Sequence, residues 1–351
     1  MTDEALPTEG RSAAVARRVA PDRVGDGDER VITVDCTNHC VVVDEAVFVK
    51  WLTPPQPIPH AGLGVIAHLH QVGFDSMPEL LGVDTYEGLV TALLFEHLPG
   101  ARDGWEWLLE QALDYADGVI DTRYVIASAV RIGVIGARLH AALATSSSTF
   151  PDPVGTVDRS VERSRCLALL DEATGVVDDP VAKQVLDTCA VRLRAAIQSI
   201  PDGFTPAVTL HGDLHVGQIL DSDGRLVVID FDGNPMLGAA DRSGHRPAAV
   251  DLASLVQSVD HVVRMAQKRR PEQTEMLDEL ATEAAEATIA GYRDALADAG
   301  FDDLLDDALL RPLRAAQELH ELLYAVRHLP RWSYAPTATL RAMFAVRGSA
   351  A

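Results

Sequence analysis

The chain has 351 residues, 47% hydrophobic, 23% charged and only 5% aromatic, the balance of a globular protein large enough for two cores. Its formal net charge of −22 disfavours nucleic acid and anionic membrane as partners, and it repels a nucleoside triphosphate too, so a nucleotide site here needs local cations. An acidic, polar start (MTDEALPTEG), no expected apolar run of about 18 residues, and four scattered cysteines (Cys36, Cys40, Cys166, Cys189) without paired zinc spacing point to a cytoplasmic, reduced protein.

In chain order, residues 1–28 read as a loosely held polar arm. RVITVDCTNHCVVVDEAVFVKWL alternates and is rich in Val, which predicts strands near 30–35, 40–44 and 46–52 with turns at Thr37-Asn38 and Asp44-Glu45. HAGLGVIAHLHQVG predicts a helix over 61–72 ended by Gly73, and two more strands follow near 80–85 and 89–95. After the LPG at 98–100 the apolar spacing becomes helical: GWEWLLEQALDYA, RYVIASAVRIGVIGARLHAALA and PVAKQVLDTCAVRLRAAIQSI. From Ala248 the chain is helical again, with breaks near Pro271, Gly300, Pro312 and Pro330; the basic RMAQKRR at 264–270 reads as a solvated helix end. The architecture is therefore α+β: a β-rich N-terminal lobe over 1–95, a hinge at 96–100, and a helical C-terminal lobe over 101–351 interrupted by one hairpin.

That hairpin lies in LHGDLHVGQILDSDGRLVVIDFDGNP, residues 210–235. SDG at 222–224 is the turn, with QIL and RLVVI as its strands. Folding back brings Asp230 near Asp213 and His215, so Asp213, Gln218 and Asp230 converge. Two carboxylates and a neutral amide make a hard, oxygen-only site suited to Mg²⁺ between nucleotide phosphates, with an upstream carboxylate free to accept a hydroxyl proton. Two other readings stand beside this one: HGDLH as a zinc pair for a hydrolase, and an acidic turn with no chemistry.

HGDLHVGQ followed by VVIDFDG resembles the catalytic core of the aminoglycoside phosphotransferase-like, eukaryotic-kinase-like superfamily, and within it the maltokinase and actinobacterial glucosamine kinase group. The resemblance implies a bilobal protein-kinase-like fold and an ATP-dependent kinase that uses Mg²⁺ and acts on a small-molecule sugar. It implies Asp213 as catalytic base, Gln218 and Asp230 as Mg²⁺ ligands, Asp232 as a second acidic ligand, and His211 as a brace for the loop. Lys50, after AVFV, matches the strand lysine that pairs with nucleotide phosphates, and backbone groups of Glu96 and Leu98 match the adenine-binding hinge. The N-terminal half departs from the pattern: no Gly-rich loop precedes Lys50, although Thr37 or Asn38 can stand near the phosphates, and helix 61–72 has no Glu to pair with it.

For the acceptor, the C-terminal LRAAQELHELLYAVRHLPRWSYAP resembles the ending of the same group, and it implies His215, Asp260, Glu321 and Trp332 as sugar contacts, with Tyr324 a further aromatic. Trp105 and His140 read as core residues, and Asp103 as a helix cap. A pocket acid such as Glu321 or Asp260 would recognise an ammonium, whereas a disaccharide such as maltose would need more polar neutral surface. The N-terminal lobe is shorter than the resemblance to maltokinases implies, which favours glucosamine, giving glucosamine 6-phosphate, with maltose or an aminoglycoside as alternatives. A nucleotide-binding pseudokinase is the alternative from a different class. A monomer is favoured.

Overall fold

The computed structural model describes residues 9–32, 38–233 and 244–344; Thr37 and the Pro235 end of the catalytic stretch fall outside them. Five strands, β1 (Glu29–Ile32), β2 (His39–Val43), β3 (Val47–Pro57), β4 (Leu80–Tyr86) and β5 (Leu89–Glu96), form an antiparallel sheet in the order β1-β2-β3-β5-β4. The Asp44-Glu45 turn takes φ of 51° and 50°, the left-handed pair a two-residue hairpin turn requires. In this register Lys50 on the central strand lies between Cys40 and Leu93.

Strand alternation gives the sheet two different faces. Val47, Val49 and Trp51 share one core with Val41, Val43, Ala92 and Leu94, while Leu52, Val90 and Leu93 pack on the other side with Leu63. The first face is covered by a helix, α1 (Arg11–Val19), that buries Ser12, Ala13, Val15 and Ala16. This corrects the expectation of a loose arm. The Glu29 carboxylate accepts the N–H groups of Gly10 (3.0 Å) and Ala13 (2.6 Å), and Trp51 Nε1 donates to Ser12 Oγ at 3.0 Å. One short apolar stripe among arginines is a weak pattern; its partner strands supply the stability. By alternation Lys50 belongs to the second face, the one shared with α2 (Ala61–Gln71).

A two-residue strand, β6 (Arg102–Asp103), leads to α3 (Gly104–Ala116) and α4 (Thr122–Leu143). Next come β7 (Val154–Asp158), α5 (Arg159–Val176), α6 (Pro180–Gln198) and β8 (Phe204–Val208), then the hairpin β9 (Ile219–Ser222) and β10 (Arg225–Val228). Helices α7 (Ala249–Arg269), α8 (Thr274–Asp298), α9 (Asp307–His328) and α10 (Tyr334–Phe344) complete the described chain. Contrary to the sequence expectation, α4 is long and apolar enough to cross a membrane, with a mean hydropathy of 1.4, yet 56% of that window is buried inside the fold. It is the central helix of a core: Val125, Ala129, Ile132 and Leu139 pack with residues of α3, α7, α8 and the hairpin.

The basic run at 264–270 also differs from expectation. Arg264 is 2% exposed and paired with Asp260 and Asp278, Arg270 pairs with Asp117, and the Lys268 ammonium lies 4.0 Å from the Tyr334 ring centre. A buried carboxylate one turn back on the same helix and a half-exposed one on the next helix make such a position possible for an arginine.

Candidate active site

The catalytic stretch runs from β8 through a loop and a single 3₁₀ turn, Val216–Gln218, into the hairpin. It is held from beneath by Asp251 in the first turn of α7. The Asp251 carboxylate accepts the backbone N–H of His211 (2.9 Å) and of Gly212 (3.1 Å), and faces His140 Nε2 at 3.2 Å. His140 Nδ1 in turn lies 2.6 Å from the Tyr292 hydroxyl on α8. Burial raises the pKa of Asp251, but His140 and the fixed donors outweigh it, and the group stays below the usual carboxylate range. His140 is thus a bonded core residue, and Asp251, Tyr292 and Ser258, whose Oγ accepts the Val216 N–H at 3.0 Å, are parts of the loop's support that no sequence motif marked.

His211 braces backbone. Its Nε2 bonds the Ile229 carbonyl at 2.9 Å, and its Nδ1 accepts the Asp213 N–H at 3.3 Å, which together require the Nε2–H tautomer. Both ring nitrogens are occupied and HGDLH is not helical, so the zinc-pair reading loses its first ligand. The DGW at 103–105 has a structural meaning. Asp103 caps α3 by accepting the Glu106 N–H at 3.1 Å. A Cβ on Gly104 would stand 2.3 Å from the Val216 carbonyl, and one on Gly217 would stand 2.5 Å from Trp105 Nε1. Only glycine lets α3 press this closely on the catalytic loop.

At the hairpin mouth the Gln218 carbonyl accepts the Ile229 N–H at 3.0 Å, which brings Gln218 beside the turn that carries Asp230. Asp230 adopts φ 64°, a left-handed conformation uncommon outside glycine. Side chains of Asp213 and Asp230 remain 31% and 35% exposed, open to a ligand. The charges of both carboxylates favour the protonated imidazole of His215. His215 Nδ1 accepts the Gly217 N–H at 3.1 Å, leaving Nε2 directed toward Asp213 Oδ2 at 3.9 Å; burial pushes the imidazole pKa down, and the neighbouring carboxylates oppose that.

Lys50 reaches across from the sheet. Its Nζ lies 2.6 Å from Asp230 Oδ1 and 2.7 Å from Asp232 Oδ2. Burial lowers the ammonium pKa, but the two carboxylates more than offset it and the net shift is upward. Burial likewise opposes ionisation of Asp230, and Lys50 overrides it. A Gln218 carboxamide and a partly exposed Asp230 carboxylate at one mouth are hard oxygen donors, few in number, which fits a Mg²⁺ that retains most of its waters. Among the described residues no three His, Cys, Asp or Glu side chains group into a metal cage.

At the expected hinge, the Glu96 N–H is already bonded to the Glu79 carbonyl (2.9 Å) and the His97 N–H to the Ala46 carbonyl (2.9 Å). The Leu98 carbonyl accepts the Ala101 N–H at 3.2 Å, while the Leu98 N–H bonds no described residue. Glu96 therefore has only its carbonyl to offer an adenine, and Leu98 its N–H.

Helices α7, α9 and α10 build the wall beyond Asp213. Trp332 stands edge-on to Trp105 (ring centres 6.1 Å apart), His261 (5.9 Å) and Tyr334 (5.7 Å), and Trp105 lies 6.0 Å from His215. Trp105, read as core, thus belongs to an aromatic corner at the site. Glu321 is half-buried, forms no ion pair with a described residue, and acts on both His215 and His261. Asp260, expected as a sugar contact, has its carboxylate bonded to the Arg264 guanidinium (3.3 Å and 3.4 Å) and to the Thr339 hydroxyl, with only 6% of the side chain exposed. It faces protein. Tyr324 is 41% exposed and packs on His328.

A two-part arrangement, an antiparallel sheet carrying a buried lysine and a helical part carrying an acid-rich hairpin, is the kinase-like phosphotransferase fold. The model of the phosphotransferase enzyme family APH matches residues 63–293, and the chain belongs to this family. It is 39% identical over 328 residues to a glucosamine kinase of Streptacidiphilus jiangxiensis (89% of this chain, 72% of that protein) and 36% identical over 321 residues to one of Mycolicibacterium smegmatis (90% and 79%). The structure of a glucosamine kinase in complex with glucosamine, ADP and inorganic phosphate superposes with a TM-score of 0.79 at 33% identity, covering 95% of this chain and 83% of the other.

Proposed function

We propose that this protein transfers the γ-phosphoryl group of ATP to the 6-hydroxyl of glucosamine, giving glucosamine 6-phosphate and ADP. The observation that carries the reading is likeness along nine-tenths of the chain to glucosamine kinases, joined to a half-buried Glu321 that forms no ion pair with a described residue and whose charge acts on His215 and His261. An amino sugar presents an apolar ring face to Trp332 and Trp105 and an ammonium to Glu321. Asp260 adds a buried negative charge near the same histidine, His261.

Asp213, held in place by the His211 brace and the Asp251 anchor, accepts the hydroxyl proton as the oxygen attacks phosphorus, and the P–O bond to ADP breaks. His215 limits how the sugar approaches that carboxylate. Gln218 and Asp230 would hold Mg²⁺, which neutralises phosphate charge and orients the triphosphate. Lys50 supplies the cation that an acidic protein needs to hold the nucleotide, and the adenine meets the Glu96 carbonyl and Leu98 N–H. In this reading the lobes divide at 1–95 and 101–351 about the hinge at 96–100. A coupled assay with ATP and Mg²⁺ against glucosamine, glucose, maltose and kanamycin tests it. The highest kcat/KM is expected for glucosamine; a clear preference for maltose or kanamycin would refute the acceptor.

A further inference from the structure

The helix after the Lys50 strand carries no glutamate, yet Lys50 is not left without an anchor. We propose that Asp232 is the positioning residue that orients Lys50 toward the nucleotide phosphates, and that α2 docks on Asp232 through its backbone instead of reaching the lysine with an acid. This rests on the phosphotransferase reading above.

The two carboxylates on Lys50 are not equivalent. Asp230 is the more open, 35% exposed at the hairpin mouth beside Gln218, while Asp232 is 20% exposed. Asp232 Oδ2 takes the lysine at 2.7 Å, and its Oδ1 faces His60 Nε2 at 3.8 Å. His60 Nδ1 caps α2 by accepting the Leu63 N–H at 3.4 Å, so the ring hydrogen lies on Nε2, toward Asp232. The first turn of α2 approaches so closely that a Cβ on Gly62 would stand 2.7 Å from Asp232 Oδ1 and 2.9 Å from the Phe231 carbonyl.

Both oxygens of Asp232 thus face positive groups: the ammonium on one side, a histidine N–H and a helix N-terminus on the other. Asp230 also bonds Lys50, at 2.6 Å, but as the more exposed of the two it is the acid that can turn to a cation, while Asp232 keeps the lysine. A lysine ammonium is a point charge on a flexible stem, so its direction is set by what holds it. Without Asp232 the ammonium has Asp230 alone, and the two would compete for the same carboxylate with any cation.

Asp232→Asn and Asp230→Asn are compared with wild type by calorimetric ADP binding in EDTA, by the KM for ATP, and by the Mg²⁺ concentration giving half-maximal rate. Asp232→Asn is expected to weaken metal-free ADP binding and raise the KM for ATP by about tenfold, as loss of one charge-assisted contact does, with half-saturating Mg²⁺ within about twofold of wild type. Asp230→Asn is expected to do the reverse, raising half-saturating Mg²⁺ while sparing metal-free ADP binding. Unchanged metal-free ADP binding in Asp232→Asn with a large rise in half-saturating Mg²⁺ would make Asp232 a metal ligand and overturn the proposal. Gly62→Ala approaches the same contact from α2, and serves if Asp232→Asn does not fold: a raised KM for ATP at unchanged Mg²⁺ dependence supports the docking, and wild-type values for both refute it. ADP binding is read without acceptor sugar, so an error in the acceptor leaves these outcomes intact, whereas wild-type protein that binds no ADP defeats both readings.

Discussion

Helix α7 meets buried charge at both ends, and the two ends treat it differently. Asp251 in its first turn and Glu318, packed against its second half, are each 1% exposed. Asp251 faces two backbone N–H groups and an imidazole, and burial is outweighed, so it stays ionised. Glu318 has one partner, His261 Nε2 at 2.9 Å, with the acids Asp260 and Glu321 nearby, and burial pushes its pKa up to about 7. The number of fixed donors, more than depth, decides whether a buried carboxylate keeps its charge. One end therefore gives the catalytic loop a permanent anion to fold around. The other holds a proton that leaves near neutrality.

The largest effect that would sharpen this contrast is at the residue the first end exists to hold. Asp213→Asn is expected to lower kcat by about 10²–10⁴-fold with ADP affinity unchanged, read by the coupled assay and calorimetry. A variant keeping a tenth of the activity would remove Asp213 as base. Next, Asp251→Asn turns an acceptor into a donor against the His211 and Gly212 N–H groups. Leaving a buried donor unpaired costs about 1–3 kcal/mol, so kcat should fall about 10–100-fold, with faster amide exchange over 210–218. Unchanged exchange there would break the claim that Asp251 organises the loop. Tyr292→Phe deletes only the hydroxyl on His140 and should cost about 1 kcal/mol, with a several-fold loss of kcat and milder exchange in the same segment.

The smallest effect concerns the other end and is one of pH. The folded pKa of Glu318, about 7, lies above its ordinary 4.5. His261 is also raised: burial pushes it down, but Glu318, Glu321 and Asp260 together prevail. Folding thus favours the protonated pair, and this stabilisation is complete below the ordinary carboxylate pKa and lost as pH rises through about 7. For Asp251 the order is opposite: its contribution holds above its ordinary 3.8 and disappears only as pH falls below it. Glu318→Gln keeps an acceptor for His261 but cannot lose a proton. Its Tm should change less than that of wild type between acidic and mildly alkaline buffer; parallel curves would show that the pair holds no extra proton.

The readable parts of the molecule were those in which chemistry and turn formation share a few adjacent residues. HGDLHVGQ, the Ser222-Asp223-Gly224 turn and Asp230 lie within 20 positions, so local hydrogen bonding nearly determines their arrangement. Lys50 was legible because Val47, Phe48 and Val49 before it mark a strand. Helix α1 was not, because its apolar stripe is short and takes its stability from strand residues 16 or more positions further along the chain, from Glu29 on β1, which bonds Ala13, to the packed faces of β2, β3 and β5. The partners of Asp260 were not legible for a related reason: Arg264 is on the same helix but Thr339 comes from α10, and only tertiary packing brings that hydroxyl to the carboxylate. Trp105 joined the site because glycines at 104 and 217 let two distant segments touch.

From the sequence alone come the α+β plan and the hairpin with Asp213, Gln218 and Asp230 on or beside it, since these follow from local periodicity and from residues close in the chain. Tertiary structure alone decided which acid holds Lys50, which histidine braces and which carboxylate stays ionised. Each of those depends on hydrogen-bond donors contributed by elements far apart in sequence, and no local pattern records which donors will be brought to which acid.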